Sequence, residues 1–201
     1  MVERQLRARG IDDERVLAAM GRVPRELFVP DELREHAYDD AALPIGSDQT
    51  ISQPYMVARI CAELQLRGHE KVLDVGTGSG YQAAVLAELA HEVHSIERIP
   101  ALADRARAAL AEAGYADRVR VYEADGSRGL SEEAPFHGIA VAAAARRPPP
   151  ELLEQLERGG RLVIPIGPSH QQFLRVYVAT PEGPADFAAV PCRFVPLVAN
   201  G

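Results

Sequence analysis

The sequence contains no tryptophan and only two cysteines, Cys61 and Cys192. These thiols stand far apart and have neither CxxC nor metal-ligand spacing, so both read as buried thiols in a reducing compartment. No apolar run approaches the length of a membrane span, and the N-terminus is charged rather than signal-like. Basic charge is also scarce. The formal net charge is −7, and the one arginine cluster of note, Arg146-Arg147, is too short for a phosphate stripe. With no basic patch interleaved with aromatics, a nucleic-acid-binding surface is excluded. The six histidines make no HxH or HExxH pattern, and His91 and His94 straddle a helix end and a strand start, so no metal centre is expected. Internal repeats and long linkers are missing too. The 201 residues therefore read as one domain with a substantial core, cytoplasmic and without nucleic-acid or membrane partners; a monomer is expected.

What is present is organised around Lys71 to Tyr81. Val72, Leu73 and Val75 read as a buried strand, Gly76, Gly78 and Gly80 follow at once, and a helical pattern runs from Tyr81 to Ala90. Strand, glycine loop and helix open a nucleotide-binding βαβ unit. The glycines allow a tight turn and close approach of a ligand, while the helix start offers free N–H groups to an anion. Spacing narrows the ligand. A dinucleotide fingerprint needs Gly-x-Gly-x-x-Gly, yet position 81 is Tyr; a P-loop needs a lysine that the loop lacks. The next strand, Glu92 to Ile96, ends at Glu97, a carboxylate able to accept from both hydroxyls of a ribose. The plain alternative is a glycine-rich turn with Glu97 capping the following helix.

Around this unit, Asp12 is placed to cap a helix through Met20 with Val16, Leu17 and Met20 on one face. Pro24 suits a first helical turn. Periodicity vanishes from Tyr38 to Ile51, which predicts an ordered, functional loop. An amphipathic helix follows through Leu66. Further on, a helix over Ala101–Ala113, strands over Val119–Tyr122 and Gly138–Ala142, and a short helix over Glu151–Glu157 alternate as a parallel sheet requires. Gly159-Gly160 reads as a turn, and Arg161–Ile166, Gln172–Ala179 and Arg193–Val198 read as further strands.

The motif Asp74-x-Gly76-x-Gly78-x-Gly80 resembles motif I of the class I S-adenosylmethionine-dependent methyltransferases. Nearly the whole chain, moreover, resembles one of their families, the protein-L-isoaspartate O-methyltransferases. The match begins at Val2-Glu3-Arg4-Gln5-Leu6 and Arg22-Val23-Pro24-Arg25. It is most specific at Leu43-Pro44-Ile45-Gly46 with Gln49-Thr50-Ile51-Ser52-Gln53-Pro54-Tyr55. It continues through Gly76 to Ala84, Asp125-Gly126-Ser127, Gly159 to Pro165 and Arg193 to Leu197. The resemblance implies a Rossmann-like α/β fold: a mostly parallel seven-stranded sheet, helices on both faces, and C-terminal strands ordered differently from most class I enzymes. Residues 1–52 would form a helical cap and substrate loop, and 53–201 the nucleotide-binding core. The implied cofactor is S-adenosyl-L-methionine, and the implied partners are isoaspartyl-containing proteins and peptides. Their free carboxylate is methylated, and the ester closes to a succinimide that starts repair.

The same resemblance assigns residues. Asp74, Gly76, Thr77, Gly78 and Gly80 would hold the cofactor's methionine part, Glu97 its ribose, and Asp125 with Gly126 its adenine. Ser52 is the implied active-site residue, hydrogen-bonding the acceptor carboxylate, with Thr50 and Ile51 lining the same site and Gln172 near the substrate. Two plain alternatives stand beside these: Ser52 as the N-cap of the helix that follows, and Asp125-Gly126 as a simple turn. The chemistry itself asks for little acid–base help, because a carboxylate with a pKa of roughly 4 is already ionised; positioning and desolvation should carry it. The departures from the family pattern are His137, where an Asp is usual, Ala142, where a Thr is usual, and Arg146, where a Pro follows three alanines. Arg146 reads as a solvated surface charge or an attractor of acidic peptide. Two rivals stay distinct: a relative dedicated to one peptide in natural-product maturation, and a binding module that keeps the cofactor without turnover.

Overall fold

The computed structural model describes residues 1–198. Helix α1 (Glu14–Arg22) is capped by Asp13 rather than Asp12, its carboxylate accepting from Arg15 N at 2.9 Å and Val16 N at 3.2 Å. Either aspartate precedes the apolar positions; only one can reach the free amides of the first turn. Val16, Leu17 and Met20 are buried, as their spacing predicts. Short helical turns at Arg25–Phe28 and Asp31–His36 follow.

The stretch 38–51, read as an aperiodic loop, contains a hairpin. Strands β1 (Leu43–Gly46) and β2 (Gln49–Ile51) pair antiparallel, with Leu43 opposite Ile51 and Pro44 opposite Thr50. Ser47 and Asp48 turn it with φ of +52° and +55°, the two left-handed residues that a type I′ turn requires. Strands this short cannot display alternation, and Ser-Asp is not a usual turn signal, so the pattern hid them. Ile45 and Ile51 point into the core. Helix α2 (Pro54–Leu64) starts on Pro54, whose missing N–H would be unused there anyway, and stops before Leu66 because Gln65 turns left-handed.

The rest alternates as expected: β3 (Lys71–Val75), α3 (Tyr81–Leu89), β4 (Glu92–Glu97), α4 (Pro100–Glu112), β5 (Val119–Glu123), β6 (Phe136–Val141), α5 (Pro150–Glu154), β7 (Leu156–Ile166), β8 (Gln172–Val178) and β9 (Ala185–Cys192). Seven strands form one sheet in the order β5-β4-β3-β6-β7-β8-β9, parallel through β7 and antiparallel for β8 and β9. Alternate residues serve opposite faces. Val72 and Val93 join the larger cluster with residues of α1 to α4, while Leu73, Val75, Ile96 and Ile139 pack with Leu152 of α5. Chain order reverses between β3 and β6, so the loops leaving their carboxyl ends diverge and open a crevice.

The C-terminal third departs from expectation in four places. Helix α5 ends at Glu154, short of Glu157. The Gly159-Gly160 turn is instead an irregularity inside β7, with Gly159 at φ +82° and the register against β6 shifting between Phe136 and Gly138. The final strand is Ala185–Cys192 and not Arg193–Val198. That alanine-rich edge strand pairs with β8 through its backbone and is largely exposed, so it carries little apolar signal. Residues 193–198 are apolar for another reason: they cross back over the carboxyl ends of the strands. Cys61 is buried as expected, whereas Cys192, at the end of the edge strand, is only partly buried.

Candidate active site

A cavity lies at the switch point, walled by the glycine loop, β2, the end of β4 and the crossing segment 195–198. Its floor is the loop between β3 and α3. Gly76 N and Thr77 N both donate to Ile96 O, at 2.9 and 3.0 Å, which ties the loop to β4. Gly78 has φ +54°, and a Cβ there would sit 3.4 Å from Ile45 Cδ1 of the hairpin. A side chain would thus strain the backbone and press on the hairpin. Gly126 is needed for packing, since its Cβ would fall 2.5 Å from Val75 Cγ1.

Beneath the loop runs a buried polar chain. Asp74 is fully buried and accepts from Gln82 Nε2 and Ser95 Oγ, both at 2.7 Å. Because Ser95 donates to Asp74, Thr77 Oγ1 must donate to Ser95 Oγ across their 2.6 Å contact. Burial pushes the Asp74 carboxyl up to about 6, against the opposing pull of its two donors. Asp74 does not itself line the cavity; Gln82 does. With its amide nitrogen committed to Asp74, Gln82 is left with a buried Oε1 that has no partner. Asp74, expected to hold the cofactor, is thus set back from the cavity, with Gln82 between the two.

Other assigned residues divide similarly. Glu97 lines the cavity and accepts from Gly78 N at 2.9 Å and Ile99 N at 3.0 Å. A carboxylate retains further lone pairs beyond these two. Gly126 lines the cavity, but Asp125 lies outside the lining, its carboxylate turned back to Ser127 N at 2.9 Å and Ser127 Oγ at 2.7 Å. Gly76, Thr77 and Gly78 line it; Gly80 is buried against Leu110 and Ala106 of α4 and shapes the loop from behind. Thr50, Ile51 and Ser52 form the wall facing the glycine loop. Gln172 is not on this cavity. It is buried and clamps Phe194, accepting from its N–H at 2.7 Å and donating to its carbonyl at 3.3 Å.

Ser52 does not cap α2. The N-cap is Gln53, and the Ser52 hydroxyl makes no hydrogen bond among the described residues. Its backbone is held instead by Arg25, a residue sequence reasoning missed. The Arg25 guanidinium is fully buried; Nη2 donates to Ser52 O at 2.9 Å, Nε donates to Ala37 O at 2.6 Å, and the group lies 4.6 Å over the Tyr81 ring. Burial lowers its pKa, and the nearby Tyr81 phenol opposes that. A single arginine after Val23-Pro24 gives no local sign of such a fate.

Of the departures, His137 sits near the start of β6, roughly 16 Å of strand away from Ala142, where it accepts from Lys71 N. It does not bear on the cavity. Ala142 lies in the wall beside Gly76, its Cβ 3.6 Å from where a Gly76 Cβ would be.

The chain matches the protein-L-isoaspartate(D-aspartate) O-methyltransferase family over residues 1–201. It belongs to that family. It is 53% identical to the protein-L-isoaspartate O-methyltransferase of Methanoculleus marisnigri, with 98% of this chain and 90% of the relative covered. The Opitutus terrae protein of the same name is also 53% identical, over 98% of this chain and 84% of its own. A crystal structure from Plasmodium falciparum, assigned as a protein-L-isoaspartate O-methyltransferase and bound to S-adenosyl-L-homocysteine, superposes with a TM-score of 0.84. That pair is 26% identical and covers 99% of this chain and 97% of the other. The fold is accordingly the class I methyltransferase fold, and the protein is an S-adenosylmethionine-dependent carboxyl methyltransferase. The cavity's residues fit that cofactor. The side-chain-free face at Gly76, opposite Ala142, admits a close ligand, Glu97 offers spare lone pairs at a strand end, and Gln82 Oε1 is an orphaned acceptor suited to an ammonium group.

Proposed function

We propose that the enzyme holds the free carboxylate of an isoaspartyl residue against Ser52, on the wall facing the glycine loop. The observation that carries this reading is a hydroxyl with no internal partner, held by its own backbone at the cavity's edge. Ser52 lines both the cofactor cavity and an adjoining depression, where Thr50, Ala142 and Val195 are shared. An acceptor entering from the depression therefore meets the cofactor side at Ser52.

S-adenosylmethionine, when bound, supplies an electrophilic methyl group on a sulfonium. Glu97 would accept from its ribose hydroxyls, Gln82 Oε1 from its ammonium, and Gly76 to Gly78 would line its methionine part. The acceptor needs no base, since it is ionised at neutral pH. Ser52 would donate to one carboxylate oxygen and leave the other free to attack. Ile51 and Val57, both buried, would exclude water from the reacting oxygen, so the anion is stripped of hydration only where the Ser52 hydroxyl replaces it. An isoaspartyl linkage sets its free carboxylate on a shorter arm than a normal aspartyl side chain. A rigid hydroxyl can discriminate between the two by reach.

We also read residues 1–52 as the cap and acceptor wall and 53–201 as the cofactor core, in a monomeric, cytoplasmic protein without nucleic-acid or membrane partners. The acidity of the chain supports the lack of a nucleic-acid partner.

The test is transfer of labelled methyl from S-adenosylmethionine to paired isoaspartyl and aspartyl peptides, with Ser52→Ala alongside. Base-labile label on the isoaspartyl peptide alone is expected. Loss of one hydrogen bond to a charged group, about 1.5–3 kcal/mol, should lower kcat/KM of Ser52→Ala about ten- to a hundredfold. An unchanged Ser52→Ala would remove Ser52 from the role. Cofactor binding with no transfer to either peptide would instead favour the binding-module reading.

A further inference from the structure

The charges around the acceptor opening run against the charge of the chain. The depression beside Ser52, about 490 Å³, has Arg193 as its one charged lining residue among the described residues. Through Ser169 and Phe194 it continues into a wider depression of about 810 Å³, lined by Arg146, Arg147 and, among the described residues, a single acid, Glu151. Three arginines thus face one carboxylate on a protein of formal charge −7. None of the three forms an ion pair or side-chain hydrogen bond among the described residues; Arg4, Arg67, Arg128 and Arg158 are unpaired too, but only Arg146, Arg147 and Arg193 of these stand on the acceptor side of the site.

The backbone beside Arg193 and Arg146 is tied down, although their side chains are exposed. Arg193 adjoins Phe194, which Gln172 fixes through both backbone groups. Arg146 follows Ala145, whose N–H donates to Pro165 O at 3.0 Å and whose carbonyl accepts from Gly167 N at 3.0 Å. Unneutralised guanidinium groups carried on tied backbone beside a cleft raise the local concentration of anions and pair bidentately with carboxylates.

We propose that this enzyme prefers isoaspartyl segments whose flanking residues are acidic, with Arg193 and Arg146 setting the preference. The inference rests on the isoaspartyl reading above and goes beyond it, since that reading is indifferent to neighbours. Exposed pairs contribute modestly and additively at best, so the preference belongs in KM and should be erased by salt.

The experiment uses three isoaspartyl peptides identical except for flanking Glu, Gln or Lys. Each is assayed at about 20 mM and about 500 mM salt, on either side of physiological screening, with the wild type and an Arg146→Glu/Arg193→Glu double variant. At low salt the wild type should favour the Glu peptide over the Lys peptide by about tenfold in kcat/KM, through KM. High salt should shrink that ratio to about one, and the double variant should invert it. Because the ratio is taken within one protein, partial loss of folded variant cancels. Equal values for the three peptides, or a preference that survives either high salt or the double variant, would overturn the proposal. If the wild type fails to methylate even the Gln peptide, the isoaspartyl reading falls and this one with it.

Discussion

The two walls of the active site are built in opposite ways. The cofactor wall comes mainly from one run of chain, from Asp74 to Ile99 with Gly126 added, and its polar groups close on one another within that run. The acceptor wall is assembled from the hairpin of β1 and β2, the segment after β6, and residues 193–198. A few long-range bonds hold those pieces: Arg25 to Ser52, Ala144 N to Val195 O at 2.7 Å, Leu197 N to Ala144 O at 2.8 Å, and the Gln172 clamp. Covalent neighbourhood guarantees the first wall and tertiary packing alone the second. Damage to a single long-range tie should therefore disable acceptor binding while leaving cofactor binding largely intact.

The sharpest break in that comparison should come at Arg25. Arg25→Met removes a buried cation, leaves Ser52 O and Ala37 O without donors and uncovers the Tyr81 face. Loss of a buried hydrogen-bonded charge of this kind costs on the order of 3–5 kcal/mol, measurable as a fall in urea midpoint at constant slope. At a temperature where the variant stays folded, KM for an isoaspartyl peptide should rise about tenfold or more. Affinity for S-adenosylhomocysteine by calorimetry should move less than about threefold. If both constants deteriorate together, the walls are not independent.

A test of the cofactor wall follows at Asp74. Its carboxyl is raised from 3.8 to about 6 by burial, so the folded state binds that proton more tightly than the unfolded state does. The resulting stabilisation is complete below the unfolded value and disappears as pH rises through about 6. From pH 7 to pH 4 the wild type should gain on Asp74→Asn by up to about 3 kcal/mol. Parallel stability curves for the two proteins across that range would contradict it. The same substitution places an amide beside Gln82; with the introduced nitrogen turned to Gln82, that side chain presents its oxygen inward and its own nitrogen to the cavity. Binding of S-adenosylhomocysteine should drop about tenfold at pH 7, the loss of roughly 1.4 kcal/mol.

The contrast also explains what could be read from residues alone. Strand, glycine loop, helix and terminal acid lie within 27 positions, 71 to 97, so β3, α3, β4, the glycines and Glu97 were legible from periodicity and spacing. Even there, side-chain reach escaped: Asp74 and Asp125 were placed in the right loops, but their carboxylates turn to Gln82 with Ser95 and to Ser127. Gln82 could have been suspected as the polar residue of an otherwise apolar first turn. On the acceptor side, Ser52 was reached through family resemblance, not through periodicity. The hairpin stayed hidden because its strands are short, and β9 because its pairing is carried by backbone. Residues 193–198 looked like a strand because they are apolar, which is equally what a segment covering a cavity must be. Arg25 shows no local sign, since nothing near Val23-Pro24 says that the guanidinium will be buried under Ser52 some 27 residues on.

The mildest perturbation separates the walls most cleanly. Gln172→Leu keeps the buried volume nearly constant but removes the donor and acceptor that hold Phe194. Two hydrogen bonds at about 1 kcal/mol each are too little to unfold the protein, yet enough to let 193–197 open locally. Amide exchange at Phe194 and Leu197 should accelerate about tenfold or more. Exchange at Gly76 and Thr77, whose amides donate to Ile96 O within the cofactor run, should stay unchanged. The acceptor KM should rise severalfold in step with the opening, because Arg193 and Val195 move with the segment. Faster exchange at Gly76 as well would show that the crossing segment braces the glycine loop, and the division between a self-contained cofactor wall and an assembled acceptor wall would have to be abandoned.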